Sequence, residues 1–172
     1  MNKLKSILIT TEEQVEIMRI IYNENLDMFT RQLTCNTYEQ QQEWWKLNKD
    51  KLRAYLYEQI DNPGEFLAFL VFTDRNLFCT PTIAIKRAFW GQGFGKEIVN
   101  DYIQKTEKPM AGSQLKSNAA ICHLNKKAGW QIIGEGDTEN GKVDLLFHPG
   151  LNLVNNNIDE IMKAVWEYHN NN

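Results

Sequence analysis

The residues Trp90-Gly91-Gln92-Gly93-Phe94-Gly95-Lys96 carry the strongest chemical signal in the chain. Glycines at alternate positions, between a strand and a helix, let the backbone turn tightly and aim successive N–H groups at an anion. The positive end of the following helix dipole lies beside them. Such a loop suits a pyrophosphate, although glycine-rich turns also serve as plain structural punctuation. A P-loop is excluded because no Gly-Lys-Ser/Thr follows at the required spacing. A Rossmann turn is excluded because the pattern is Gly-x-Gly-x-Gly, antiparallel strands precede it, and no acidic ribose-binding residue closes a βαβ unit downstream. An acyl-coenzyme A is then the preferred pyrophosphate ligand. The cysteines, Cys35, Cys79 and Cys122, are odd in number and lack paired metal-ligand spacing, so neither a disulfide framework nor a metal site is expected.

Those residues must be positioned by the elements around them. Leu4 to Thr10 reads as a strand, and Thr11 with Glu12, Glu13 and Gln14 opens a helix whose Val15, Met18, Ile21 and Tyr22 share a face. A second helix is predicted from Thr37 to about Leu47, with Tyr38, Trp44 and Trp45 available for burial or for a substrate wall. Arg53 to Ile60, the turn Asp61-Asn62-Pro63-Gly64 and Glu65 to Thr73 form a hairpin. Asn76 to Lys86 adds a third strand, in which Pro81 predicts an edge, a bulge or a break. Beyond the glycine loop, Lys96 to Thr106 is predicted helical, Met110 to Lys116 a strand, and Asn118 to Ala128 a helix stopped by Gly129. Trp130 to Gly134 and Val143 to His148 are strands, and Ile158 to Tyr168 is a terminal helix ending in an asparagine run. The order β-α-α-β-β-β-α-β-α-β-β predicts an α/β (α+β) domain spanning residues 1–172, with a mixed sheet of about seven strands between helices.

Composition narrows the function classes. Apolar residues are 42% and charged residues 24% of the 172, ordinary for a globular protein, and no apolar run approaches the length of a membrane span. A net charge of -3 argues against a broad nucleic-acid surface, since such binding draws its affinity from neutralised phosphates. Charge at Met1 to Lys5 followed by a short strand and an acidic stretch is no signal peptide, and a reducing cytoplasmic compartment is expected.

At the glycine loop the chain resembles the GNAT superfamily of N-acetyltransferases. The family's first motif is Arg/Gln-x-x-Gly-x-Gly/Ala after its fourth strand; Trp90-Gly91-Gln92-Gly93-Phe94-Gly95 matches the two small positions, with Trp at the first. A second motif, an Asn-x-Ala/Ser-x helix ending in Gly-Phe, is resembled by Asn118-Ala119-Ala120-Ile121 running through Lys126-Lys127-Ala128 to Gly129-Trp130. The variant pattern is similar to ribosomal-protein and amino-sugar acetyltransferases. The resemblance implies a mostly antiparallel sheet with a splayed parallel strand pair, and acetyl-CoA or another acyl-CoA as co-substrate. It assigns backbone groups of Ile83, Ala84 and Ile85 to pantetheine, Gly91 to Lys96 to the pyrophosphate, the Asn118 side chain to the pantetheine amide, and Lys127 to the cofactor. Asn118 equally suits a helix N-cap, and both roles can hold together.

Relatives place a Tyr near the sulfur where this chain has Asn125, whose amide can donate a hydrogen bond to a thiolate but cannot supply a proton. They also carry a base on the fourth or fifth strand. Thr82 to Lys86 and Ala111 to Leu115 contain no carboxylate, which leaves Glu58 as the acidic candidate for the base. His123 is expected on another face of its helix, and Cys79 and Cys122 are expected as buried small residues. A further resemblance joins Asn23-Glu24 and Leu33-Thr34 to the helix ending in Trp44-Trp45; it is to substrate-side helices of enzymes that acetylate nucleotide-linked amino sugars. It makes Glu24, Trp44 and Trp45 acceptor-binding candidates, and the acids Glu24, Asp27, Glu39 and Glu43 would suit a cationic amine. The expected activity is acyl transfer to a primary amine, small-molecule or peptide; the alternatives are a silent CoA-binding protein and a nucleobase-modifying relative. Trp166 and Tyr168 could cover the core or form a homodimer contact.

Overall fold

The computed structural model describes residues 3–31, 34–106, 108–150 and 158–170. Its strands are β1 (Leu4–Leu8), β2 (Leu52–Gln59), β3 (Asn62–Asp74), β4 (Cys79–Ile85), β5 (Met110–Leu115), β6 (Gln131–Thr138) and β7 (Gly141–His148). Its α-helices are α1 (Glu12–Glu24), α2 (Tyr38–Asn48), α3 (Phe94–Gln104), α4 (Ala119–Lys127) and α5 (Ile158–Asn170). Leu33 of the predicted Leu33-Thr34 feature, and the tail residues 155–157 and 171–172, lie outside the described residues.

The strands form one sheet of seven in the order β1-β2-β3-β4-β5-β7-β6, antiparallel except for the β4–β5 pair. Leu67 to Phe72 on β3 are buried without a break, because this central strand is covered on both faces. One face packs Leu70, Phe72 and Tyr57 against Ile98, Val99 and Tyr102 of α3. The other packs Leu56, Phe69 and Val71 against Val15, Met18 and Ile21 of α1. A third cluster seats α5 through Ile161 and Val165 on Phe78, Ala111 and Phe147. Burying each such aliphatic or aromatic side chain contributes about 1.5–3 kcal/mol.

Both N-terminal helices begin with a capping box: Thr11 with Gln14, and Thr37 with Gln40. The predicted 61–64 turn is tighter than expected. Strand β3 already begins at Asn62, and the register shifts around Glu58, which faces Phe66 while Gln59 faces Asn62. The excess residues, Pro63 and Gly64 among them, are absorbed as a bulge. Strand β6 outruns its predicted end at Gly134 because an edge strand exposes polar residues and so loses the apolar signature.

Candidate active site

Strands β4 and β5 pair at a single registered position, Cys79 opposite Met110, where the Cys79 N–H donates to the Pro109 carbonyl at 2.9 Å. Beyond that point β4 is held by β3 and β5 by β7, and a cleft of about 1060 Å³ opens between them. Strand residues alternate in the direction of their backbone groups, so Pro81, Ile83 and Ile85 aim toward the gap on the same side as Cys79. The predicted break at Pro81 is therefore absent from the β3 ladder: its missing N–H falls on the open side. The Ile83 N–H and carbonyl face the cleft, while the Ile85 carbonyl accepts from Trp90 Nε1 at 2.8 Å.

That indole bond begins the ordering of the glycine loop. Arg87 lies over the Trp90 ring at 4.9 Å, and Gln92 Nε2 donates to the Ala88 carbonyl at 3.0 Å. Gly91 and Gly93 have φ of +74° and +88°, which L side chains rarely adopt, and open space surrounds the place of each missing Cβ. Gly93 is the N-cap of α3 and no side chain caps the helix, and Gly93 to Lys96, which carry its first N–H groups, line the cleft. Gly95 is needed for a different reason: a Cβ there would stand 3.0 Å from Leu124 Cδ1, so it lets α3 and α4 approach. Lys96 lines the cleft. Glu97 is turned away and accepts from the Leu4 N–H at 2.7 Å, so among the described residues no carboxylate lines the cleft beside the glycine loop.

The α4 wall is set by a polar chain beneath it. Asn118 caps the helix by accepting from the Ile121 N–H at 3.2 Å, and its amide nitrogen lies 3.7 Å from Met28 Sδ. Asn125 is buried, donates to Gln114 Oε1 at 2.9 Å, and accepts from the Tyr102 hydroxyl at 3.4 Å. Tyr102 accepts in turn from Trp130 Nε1 at 2.8 Å, and Gln114 donates to Asp144 at 2.9 Å. Burial pushes the Tyr102 phenol well above its ordinary value, so it holds Asn125 in place as a neutral group.

The opposite half of the cleft, toward α1 and α5, is lined by Tyr22, Asn25, Phe29, Arg31, Trp44, Arg75, Thr80, Tyr168 and His169. Tyr22 and Phe29 stack with ring centroids 5.0 Å apart. His169 Nε2 and Thr80 Oγ1 are shielded from solvent and have no hydrogen-bond partner. Burial, with a smaller contribution from Arg31, pulls the His169 imidazole below its ordinary value against a backbone hydrogen bond at Leu146 that raises it. His169 is therefore neutral at neutral pH, with a free ring nitrogen.

The structure gathers Ile83, Ala84, Ile85, Gly91, Gly93, Phe94, Gly95, Lys96, Asn118, Asn125 and Trp44 around this cleft. Glu58 is not among them: it sits at the β2 bulge, accepts from the Gly64 N–H at 2.7 Å and pairs with Lys5 at 3.4 Å. Trp45 packs against the α1 core, and Lys127 and Glu24 are exposed and do not line the cleft, the Glu24 carbonyl accepting from Arg87. Asp27 is paired with Arg87. His123, expected to point elsewhere, does line the cleft from the exposed face of α4. Arg31, Arg75 and His169 escaped the sequence reading, because no spacing links a loop, a turn and the end of a terminal helix. Among the described residues no cluster suits a metal, and no helix is long and apolar enough to cross a membrane.

This mixed sheet with its splayed parallel pair defines an acetyltransferase-type fold, the architecture that the resemblance implied. Spermidine N-acetyltransferase from Vibrio cholerae, in complex with CoA and spermine, matches with a TM-score of 0.73 at 11% identity, over 85% of this chain and 95% of that one. A putative phosphinothricin N-acetyltransferase matches at 0.72 and 19% identity, over 85% and 98% of the two chains. A putative acetyltransferase from Salmonella typhimurium with its cofactor acetyl-CoA matches at 0.71 and 13% identity, over 90% and 96%. No protein-family model and no curated protein matches the sequence. The likeness is one of fold.

Proposed function

We propose that the protein is an acyl-CoA-dependent N-acyltransferase that moves an acetyl or other short acyl group to a primary amine within a ternary complex. The observation that carries this reading is the cleft itself, flanked at one end by the N-terminus of α3 and along one side by the unpaired backbone of β4. Its residues fit the donor: Gly91 and Gly93 leave room for a pyrophosphate against the backbone, Ile83 offers a strand-like partner to pantetheine amides, and Asn118 stands on the facing wall. The complexes of the spermidine N-acetyltransferase with CoA and of the Salmonella protein with acetyl-CoA support the same ligand class here.

Bound acyl-CoA supplies an activated thioester; the amine nitrogen forms the C–N bond, the C–S bond breaks, and the departing CoA thiolate takes up the second N–H proton of the amine to leave as the thiol. The chain's part is to align the two substrates and to remove a proton from the incoming ammonium. Glu58 is outside the cleft and is not assigned that task. We assign the proton to the imidazole of His169, which lines the cleft and which burial holds neutral. Its unpartnered Nε2 is shielded in this structure, so the proton reaches it once the substrate or a relaying water has entered that wall. Asn125 holds the α4 wall in register and can offer its remaining N–H toward the sulfur. Titration calorimetry with acetyl-CoA, followed by thiol release with an amine panel, tests the reading. Binding without thiol release from any amine would favour a silent CoA-binding protein.

A further inference from the structure

We propose that the acceptor half of the cleft selects an amine that also carries an anionic group, a carboxylate or a phosphate, and disfavours polyamines. This deepens the acyltransferase reading and rests on it.

The first observation is one of charge. Among the described residues that line the cleft none is an Asp or a Glu, whereas Arg31 and Arg75 line it together with Tyr168 and His169. The neighbouring carboxylates are already engaged. Asp27 pairs with Arg87, Asp74 binds Lys108 through both oxygens at 2.8 Å, and Asp144 binds Gln114 and Lys116. Neither Arg31 nor Arg75 has an ion-pair partner among the described residues. Arg75 instead lies over the Tyr168 ring at 5.3 Å, which orients its guanidinium without neutralising it. Among the described residues, a ligand with several ammonium groups would meet two guanidinium ions without ion-pair partners and no carboxylate lining the cleft.

The second observation is independent of charge. Thr80 Oγ1 and His169 Nε2 are shielded polar atoms with no partner, in residues that line the same half of the cleft. Buried polar atoms in folded proteins are nearly always satisfied, so two open ones in the cleft wall leave hydrogen-bonding capacity that a polar ligand reaching this wall would use. His169 adjoins Tyr168, with ring centroids 5.2 Å apart, which ties the open nitrogen to the Arg75 side of the cleft. Because burial keeps that imidazole neutral, the positive character of the site comes from the two arginines, which bind carboxylate and phosphate oxygens in bidentate geometry.

The test is acyl transfer from acetyl-CoA by the intact chain, read by thiol release and product mass, across paired acceptors. The pairs are an α-amino acid against its carboxamide and an amino-sugar phosphate against the unphosphorylated amino sugar; spermidine and spermine form a third arm. The expected result is a kcat/KM at least roughly tenfold higher for the anionic member of one pair, with the responding pair telling carboxylate from phosphate. Arg31→Gln and Arg75→Gln should each raise the KM for that acceptor roughly tenfold and leave acetyl-CoA affinity unchanged. Equal use of anionic and neutral members, or preference for polyamines, would overturn the inference while leaving the acyltransferase reading intact. Failure of acetyl-CoA to bind at all would remove both.

Discussion

Two side chains lining the cleft predict separable defects, His169 in the proposed proton transfer and Tyr102 in stability. His169 offers a neutral acceptor nitrogen, so His169→Gln should slow acyl transfer by about 10²–10⁴-fold while acetyl-CoA affinity stays the same. In the parent protein the imidazole must be unprotonated to act. Because its folded pKa is lowered from 6.5, the acid limb of kcat/KM should fall below that value and vanish in the variant. A kcat/KM profile with an unshifted acid limb in His169→Gln would exclude the role. Tyr102 acts on stability, since it accepts from Trp130 and donates to Asn125 in a buried chain. Tyr102→Phe leaves both partners unsatisfied and should cost about 1–3 kcal/mol in urea unfolding. His148 is a second neutral histidine: its Nδ1 accepts from the Gly150 N–H at 3.0 Å, so Nε2 carries the proton and faces the Ala128 carbonyl at 3.0 Å. Its folded pKa lies below 6.5, so the unfolded chain takes up the proton first. The stability it contributes is present above pH 6.5 and lost as pH falls through the lower folded value. The unfolding midpoint should therefore drop between pH 7.5 and 5, and drop less in His148→Gln.

At the scale of elements, the side of the cleft built by the glycine loop and α4 was legible in the sequence as local backbone geometry, and the side proposed to hold the acceptor was not. The glycine loop and the Asn118 to Trp130 segment are contiguous, and their spacing reports local backbone needs: left-handed turns at Gly91 and Gly93, a cap at Asn118, a left-handed stop at Gly129. The acceptor half is assembled from the loop after α1, the β3–β4 turn and the end of α5, which are brought together only by packing. Glu58 shows the complementary limit. Alternation places a residue on a strand, but the bulge that gives Glu58 its Gly64 and Lys5 partners depends on the register of two strands. The seat of α5 is correspondingly open to test. A Cβ at Gly134 on β6 would stand 2.8 Å from the Trp166 ring, so Gly134→Val should displace α5 and carry Tyr168 and His169 out of position. The expected outcome is a raised acceptor KM and slower transfer with unchanged acetyl-CoA affinity; a parallel loss of both affinities would show that α5 supports the whole sheet.

For the molecule as a whole, a sheet closed on both faces holds a cleft that exists because two parallel strands are kept apart, each by an antiparallel neighbour on its outer side. The order of elements, helix burial on both faces and the terminal helix were predicted from periodicity and turn chemistry. The depth and charge of the cleft follow from tertiary packing, which no periodicity reports. The central claim is that this cleft binds an acyl-CoA through the glycine loop at the head of α3, and calorimetric titration with acetyl-CoA measures it directly. The account predicts one equivalent bound with a dissociation constant on the order of 1 μM to 1 mM. Gly93→Asp, which places a carboxylate in the cradle at a left-handed position with open space around it, should weaken that binding by roughly 100-fold or more while the chain remains folded. Absence of heat at millimolar acetyl-CoA, or equal binding by the parent and Gly93→Asp, would contradict it.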